Sequence, residues 1–408
     1  MKVLLIRLYE PKTINQKMTF MAPIGLYSIR ATIRRRNPGA VVHICDQQIG
    51  DSVKGFLDQA DPYTLIGISC QFCIQHAEYL KVADLCRAWY PKVRIVSGGF
   101  HASAADKPEG VDQVLFGSGE KHFDSSIGSI EDLPMPVFNI YEVEKYWAQY
   151  RPHDLQSATD RWMPIETSRG CNGVCSFCGV NRFWGCWEGH SSSWMFDYLS
   201  FLKGIGIQEL FIEDDNVGQD PVRFEKLLTL FCHFNFKWST PNGIKIRTLQ
   251  EMDDPEFLPK SGCWRVSLPF ETGSYETAKK MRLGGKWANY EESYDLVLKL
   301  RELGIKTCGF FIIGFPGETW KDMEQTIMFA NALPLDQRNI YIATPYPGTE
   351  LYKICKEKGF LTHDGQLLYD NLLYTQGLIE TPEFTAVNVE QLKYRDRERA
   401  RRRKNLTN

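Results

Sequence analysis

The sequence predicts an α/β protein of two consecutive domains, a doubly wound parallel sheet followed by a partial (β/α)6 barrel. Three observations lead there. The chain has 408 residues, more than a single hydrophobic core usually serves. Short apolar runs alternate with amphipathic stretches along most of it, the pattern of parallel strands joined by helices. Polar or glycine-rich segments follow those runs, where such sheets and barrels carry their ligands.

Composition fits an ordinary soluble enzyme. A net charge of −2 gives no whole-chain attraction to nucleic acid or to a membrane surface. No apolar run approaches the roughly 18 residues of a membrane span. Twelve cysteines in 408 residues are too sparse for a disulfide scaffold, and no secretory signal precedes them. The expected compartment is the reducing cytoplasm.

In the first domain, residues 1–135, strands are expected at 2–8, 41–46, 65–70, 94–98 and 113–116, with helices at 25–36, 53–58 and 75–89. Apolar strands between amphipathic helices imply a parallel sheet covered on both faces. The candidate ligand contacts stand at the carboxyl ends of its strands. They are Ser69, Cys70 and Gln71, then Ser97, Gly98, Gly99 and His101, then Gly117, Gly119 and Glu120. The glycines would let a large cofactor approach the backbone, and their N–H groups can bind phosphate. Cys70 and Cys73 have the spacing of a redox pair, without the context of a thioredoxin.

Residues 136–160 read as a linker rich in proline and aromatics, among them Pro136, Trp147 and Tyr150. The barrel is expected over 161–352. Its strands fall at 162–167, 209–213, 237–240, 265–270, 307–313 and 339–343, and its helices at 194–203, 222–234, 290–303 and 320–331. The helix at 290–303 shows its period best, with Tyr290, Tyr294, Val297 and Leu298 on one face. Gly317-Glu318-Thr319 reads in part as a turn and helix cap. Residues 353–408 form a C-terminal extension, in which 361–383 could close the open side of the barrel. Its stretch 393–404 sets eight Lys and Arg against Asp396 and Glu398, a solvated helical or disordered tail or else a contact for an acidic partner.

The densest chemistry lies at Cys171-Asn172-Gly173-Val174-Cys175-Ser176-Phe177-Cys178, a Cys-x3-Cys-x2-Cys run just after a strand. Structural zinc favours four ligands on paired CxxC knuckles, and the next cysteine, Cys186, begins no knuckle. The run, with Phe177 before its last cysteine, resembles the signature of the radical S-adenosylmethionine (SAM) superfamily. That resemblance implies a 4Fe–4S cluster on Cys171, Cys175 and Cys178, with one iron left open for SAM. It further implies SAM contacts from Phe177, from Asp214 after the second barrel strand, from Glu271 after the fourth, and from Ile313 and Phe315 at the fifth. Pro345-Tyr346-Pro347-Gly348-Thr349 matches a tail common in the cobalamin-dependent branch.

The first domain, with Met21-Ala22-Pro23-Ile24-Gly25-Leu26 opening its first helix, resembles the cobalamin-binding domain that precedes many such cores. Domains of the methionine-synthase kind place a histidine under the cobalt with Asp-x-His-x-x-Gly. Here the segment is Asp46-Gln47-Gln48-Ile49-Gly50, so the resemblance implies cobalamin bound with its base displaced and no histidine below the metal. His43, inside a strand, reads as a core or surface histidine.

Together these likenesses imply a C-methyltransferase acting on an unactivated sp3 carbon through methylcobalamin and a 5′-deoxyadenosyl radical. Two SAM molecules would be used per product, with an electron donor such as ferredoxin or flavodoxin. Overall size and architecture are similar to archaeal peptidyl C-methyltransferases, particularly the glutamine C-methyltransferase of methyl-coenzyme M reductase. A peptide or protein substrate is therefore expected, and neither nucleic acid nor a membrane as partner. The alternatives are a small-molecule C-methyltransferase of natural-product or lipid biosynthesis, and a cobalamin radical SAM cyclase without net methyl transfer.

Overall fold

Strand β1 (Lys2–Arg7) shows why the first sheet forms. Val3 and Leu5 pack with Leu26, Ile33, Val42, Leu65 and Leu115 on one face, while Leu4 and Ile6 pack with Ile66, Ile68, Tyr79, Val82 and Ile95 on the other. A strand buried on both faces has no polar alternation, hence the unbroken apolar run. In this computed structural model the described residues are 1–9, 21–149, 157–362 and 369–407. They fall into two compact units, Met1–Cys171 with Phe183–Pro241, and Asn172–Arg182 with Asn242–Asn408. These units divide the chain differently from the boundaries expected at 135 and 161.

In the first unit, β2 (Val41–Asp46), β3 (Leu65–Ser69), β4 (Arg94–Gly98) and β5 (Gln113–Leu115) join β1 in the parallel order β2-β1-β3-β4-β5. Helices α1 (Ile24–Arg36), α2 (Val53–Leu57) and α3 (His76–Trp89) make the crossovers, and α4 (Gly119–Phe123) follows β5. Strand order reverses between β1 and β3, and a doubly wound sheet takes its ligand beyond the carboxyl ends at such a point. The expected linker contains a helix, α5 (Ile140–Gln149), that buries Val143 and Tyr146. Prolines and aromatics hid a three-residue spacing there, and the Tyr146 hydroxyl anchors the helix by donating to Asp46. Tyr150 and the rest of 150–156 lie outside the described residues, as do 363–368 of the stretch expected to close the barrel.

The same unit holds β6 (Trp162–Ile165), β7 (Glu209–Ile212) and β8 (Lys237–Thr240), parallel in that order. Helices α6 (Ser192–Gly204) and α7 (Pro221–Phe234) lie between them, N-capped by Ser191 and Asp220. The second unit supplies β9 (Cys263–Glu271), β10 (Lys306–Ile313) and β11 (Gln337–Ile342), again parallel. Its helices include α8 (Tyr275–Lys280), α9 (Tyr290–Glu302), α10 (Trp320–Ala332), α11 (Glu350–Glu357) and α12 (Ala386–Thr407). Phe270 stacks on Phe311 at 5.4 Å, and Phe329 of α10 meets both rings edge-on. Helix α9 buries Ser293, Leu296, Val297 and Leu300, whereas Tyr290 is 40% and Leu298 38% exposed. The buried stripe is thus rotated from the expected face, because the i, i+3, i+4, i+7 set that meets the core starts at Ser293. The basic C-terminal stretch is helical, and Asp396 ties α12 to Arg338 at 2.7 Å and to Asn331 at 3.0 Å. Among the described residues no helix is long and apolar enough to cross a membrane.

Candidate functional site

The cysteine run is shaped by its flanks. Ahead of it, Asp214 accepts from the Thr167 amide at 2.7 Å, from Thr167 Oγ1 at 2.6 Å and from Ser168 Oγ. Burial raises its acid despite those bonds. Asp215 accepts from the Gly170 amide at 3.0 Å, and burial pushes its carboxyl up to about 6. Gly170 has φ +82°, and a Cβ there would lie 2.8 Å from the Cys186 carbonyl oxygen, so glycine is required immediately before Cys171. The structure therefore places Asp214 as a brace of the loop entrance, with Asp215 as a second carboxylate beside it.

Arg169 is buried within the same unit. It reaches Glu120 at 2.8 and 3.2 Å, Ser118 Oγ at 3.1 Å and Glu166 through Nε, and its guanidinium lies 4.7 Å from the Trp184 ring centre. Burial would raise the Glu120 acid, but Arg169 and the Ser28 hydroxyl at 2.6 Å prevail and hold it at about 2. Glu166, with less compensation for its burial, is pushed up to about 7. His190, stacked 3.6 Å from Trp194, is driven by burial and then by Arg169 down to about 3, so it stays neutral.

Residues 172–182 belong to the other unit. There the Ser176 amide donates to the Met281 carbonyl at 3.0 Å, the Ser176 carbonyl accepts from Leu351 N at 2.7 Å, and Cys178 N donates to Cys175 O at 3.1 Å. The structure thus brings Cys175 and Cys178 onto one turn with Phe177 between them. Cys175 is half-buried and Cys178 exposed; Cys171, also half-buried, closes the first segment of the other unit. Among the described residues no three His, Cys, Asp or Glu side chains form a ready-made metal cage. The donor set nonetheless suits an iron–sulfur cluster: three soft thiols within eight residues, two of them on one turn beside a half-buried ammonium.

That ammonium belongs to Lys286. Its Nζ lies 2.5 Å from Glu271 Oε1 and 5.9 Å from the Phe177 ring centre. Burial opposes its charge, but Glu271 first, and then the thiolates of Cys175 and Cys178, hold it protonated above the ordinary lysine range. Glu271 sits at φ +64° where β9 ends. A side-chain-bearing residue in that region carries strain that clusters at binding sites. Ile313, the last residue of β10, and Phe315 just beyond it are buried, and the Phe315 amide donates to Glu318 Oε2 at 2.7 Å. Glu318 is wholly inaccessible, and burial pushes its acid up to about 8. Thr319 completes the expected cap, exchanging bonds with Asp322 at the start of α10.

At the first sheet, the positions expected to meet cobalamin divide in two. Ser69, Gly98, Gly99, Gly117 and Gly119 are partly open at the carboxyl edge, and Gln71 is exposed. Gly99, at φ +103°, passes so close to Cys70 that a Cβ would lie 2.5 Å from its carbonyl oxygen. Cys70, Ser97, His101 and Glu120 are buried. Ser97 accepts from the Tyr79 hydroxyl, and His101 lies 2.9 Å from His76 and 3.1 Å from Cys73 Sγ. Gln48 is also buried, donating to the Leu8 carbonyl at 2.8 Å, and His43 pairs with the Tyr63 hydroxyl at 2.9 Å. The open glycine edge beside the strand-order reversal suits a large planar cofactor.

Sequence reasoning missed Arg169, Glu166, Asp215, Lys286 and Glu318 as site residues. Arg169 and Asp215 adjoin residues already singled out, and that adjacency could have found them. Lys286 is fifteen positions after Glu271, and no local pattern ties the two together.

Residues 165–330 match the sequence family described as the radical SAM superfamily. The cytidylyl-2-hydroxyethylphosphonate methyltransferase of Streptomyces wedmorensis is 30% identical over 271 residues, 63% of this chain and 49% of that protein. The chain thus spans about half the length of that relative. An uncharacterised methyltransferase of Pyrococcus horikoshii is 24% identical over 396 residues, covering 86% of this chain and 83% of its own length. Among solved structures, the cobalamin-dependent SAM radical enzyme OxsB, with aqua-cobalamin and SAM bound, superposes with a TM-score of 0.71 at 14% identity over 96% of this chain and 66% of that one. The radical SAM methyltransferase TsrM of Kitasatospora setae, with cobalamin and a 4Fe–4S cluster bound, gives 0.66 at 17% identity over 88% and 78%. Residues 165–330 are thus similar in sequence to the radical SAM superfamily, and over nearly its whole length the chain has the fold of these two solved structures.

Proposed function

We propose that the chain is a cobalamin-dependent radical SAM C-methyltransferase that places a methyl group from SAM on an unactivated sp3 carbon. One observation carries this reading: a parallel sheet in the order β2-β1-β3-β4-β5, with a glycine-lined carboxyl edge, precedes the Cys-x3-Cys-x2-Cys loop in one chain. A cluster on Cys171, Cys175 and Cys178 would supply reductive cleavage of SAM, and cobalamin at the sheet edge would supply methyl transfer. The six strands β6 to β11 would form the partial (β/α)6 barrel around that chemistry. Glu271 would orient the SAM ribose, and Phe177, Ile313 and Phe315 would enclose its apolar parts. Asp214 keeps the loop entrance in place by holding Thr167 and Ser168, and Glu318 fixes the Phe315 amide. An external one-electron donor of the ferredoxin or flavodoxin class completes the system, in the reducing cytoplasm.

The substrate reading drawn from the sequence is a peptide carbon, as in the glutamine of methyl-coenzyme M reductase. The relative from Streptomyces wedmorensis favours a second, a small nucleotide-linked molecule. The test is anaerobic turnover of the reconstituted chain with methyl-labelled SAM, a reductant, and peptide and small-molecule candidates. The expected products are S-adenosylhomocysteine and 5′-deoxyadenosine in equal amounts, with label on an sp3 carbon. Label on a free metabolite and on no peptide selects the second reading. Deoxyadenosine with an unlabelled, cyclised product overturns methyl transfer altogether.

A further inference from the structure

Lys286 ends a short turn, Gly284–Lys286, whose Gly285 carbonyl also accepts from Arg247 Nε at 3.3 Å. Its neighbour Trp287 donates Nε1 to the Thr272 carbonyl at 3.1 Å, pinning the turn to that strand end. The Lys286 and Glu271 side chains are 16% and 7% exposed, and their 2.5 Å contact is one of the most enclosed ion pairs in the second unit. Phe177, over which the ammonium sits at 5.9 Å, lies between Cys175 and Cys178 in sequence. Fixed charges in such a place act through a low effective dielectric and are little screened by salt.

We propose that Lys286 and Glu271 set the reduction potential of the cluster on Cys171, Cys175 and Cys178, in opposite senses. The inference rests on the radical SAM reading above and adds a role that the loop's own ligands do not supply. Reduction adds one negative charge to a cluster already bound by thiolates, and net charge near the cluster is a main determinant of its potential. The Lys286 ammonium stabilises the more negative state and raises the potential. The Glu271 carboxylate offsets part of that field and lowers it.

The experiment is redox titration of the anaerobically reconstituted full chain, without SAM, followed by electron paramagnetic resonance of the reduced cluster and by iron content. Lys286→Met should shift the midpoint to more negative potential, Glu271→Gln to more positive potential, and Lys286→Arg should stay near wild type. Opposite shifts at unchanged iron content are not what a purely packing role would give. Wild-type potentials in both variants, or shifts of the same sign, overturn the proposal. So does a Lys286→Met protein that binds SAM less well at an unaltered potential, since Lys286 would then be a ligand contact only. If Lys286→Met loses its cluster, Glu271→Gln and Lys286→Arg still decide the sign. A wild-type chain that takes up no cluster overturns the radical SAM reading itself, a result distinct from the others.

Discussion

Arg169 is the residue on which most depends in the first unit. It joins Glu120, Glu166 and Ser118 while its own side chain is only 9% exposed. Removing one member of such a group strands the others, and breaking a buried pair costs about 3–5 kcal/mol. Arg169→Met should therefore lower the unfolding free energy by that order in urea melts, and a change within the surface-pair range of about 0–1 kcal/mol would contradict the assignment. Glu120 adds a pH signature. Its acid is held at about 2 in the fold, against about 4.3 when unfolded. Its stabilisation is complete above the unfolded value and is lost as pH falls toward 2, so Glu120→Gln should flatten the stability curve in that acid window. Glu318 has the opposite sign. Its acid is raised to about 8 by burial, so the fold keeps a proton that the unfolded chain has released above about 4.3. Stability should fall as pH rises between those values, and Glu318→Gln should gain melting temperature relative to wild type at pH 8 more than at pH 5.

At the level of elements, caps and turns decide where the site residues stand. Thr319 and Asp322 close the N-terminus of α10 immediately after the Gly314–Glu318 turn. Thr319→Ala should cost about 1 kcal/mol, measurable by thermal unfolding. Gly99→Ala should be worse. A methyl 2.5 Å from the Cys70 carbonyl, at φ +103°, has no relaxed position, and strain of about 1–3 kcal/mol is expected. The elements themselves were legible in the sequence for a physical reason. Strands β1, β3 and β4 are buried on both faces and so print as apolar runs, and the cysteine loop prints as a spacing. Helix α5 was not legible, because it buries mainly Val143 and Tyr146 and is surrounded by prolines that signal irregular chain. The face of α9 was misread since Tyr290 and Tyr294, 5.7 Å apart, pair with each other near the exposed margin. The Lys286–Glu271 pair was hidden for a further reason: tertiary ion pairs have no period, and only the fold brings their partners together.

For the whole molecule, the sharpest consequence concerns what the first sheet offers a metal from below. A histidine ligand would have to come from the Asp46–Gly50 segment or from a nearby histidine able to leave its present partner. The segment has no histidine, and its central Gln48 is buried and bound to the Leu8 carbonyl, which Gln75 also reaches at 3.1 Å. His43 is held by Tyr63, and His101 by His76 and Cys73. Freeing His101 would give up its contacts with His76 and Cys73. Burial also holds its imidazole neutral, at about 4, so protonation is not what keeps it from ligating. The full chain loaded with cobalamin and reduced to the cobalt(II) state should therefore show an electron paramagnetic resonance spectrum without nitrogen superhyperfine splitting. A nitrogen triplet that vanishes in His101→Ala or His43→Ala would mean that the sheet edge rearranges around the cofactor and supplies the ligand that Gln48 replaces. A triplet that survives both substitutions would instead mean that the cofactor keeps its own base.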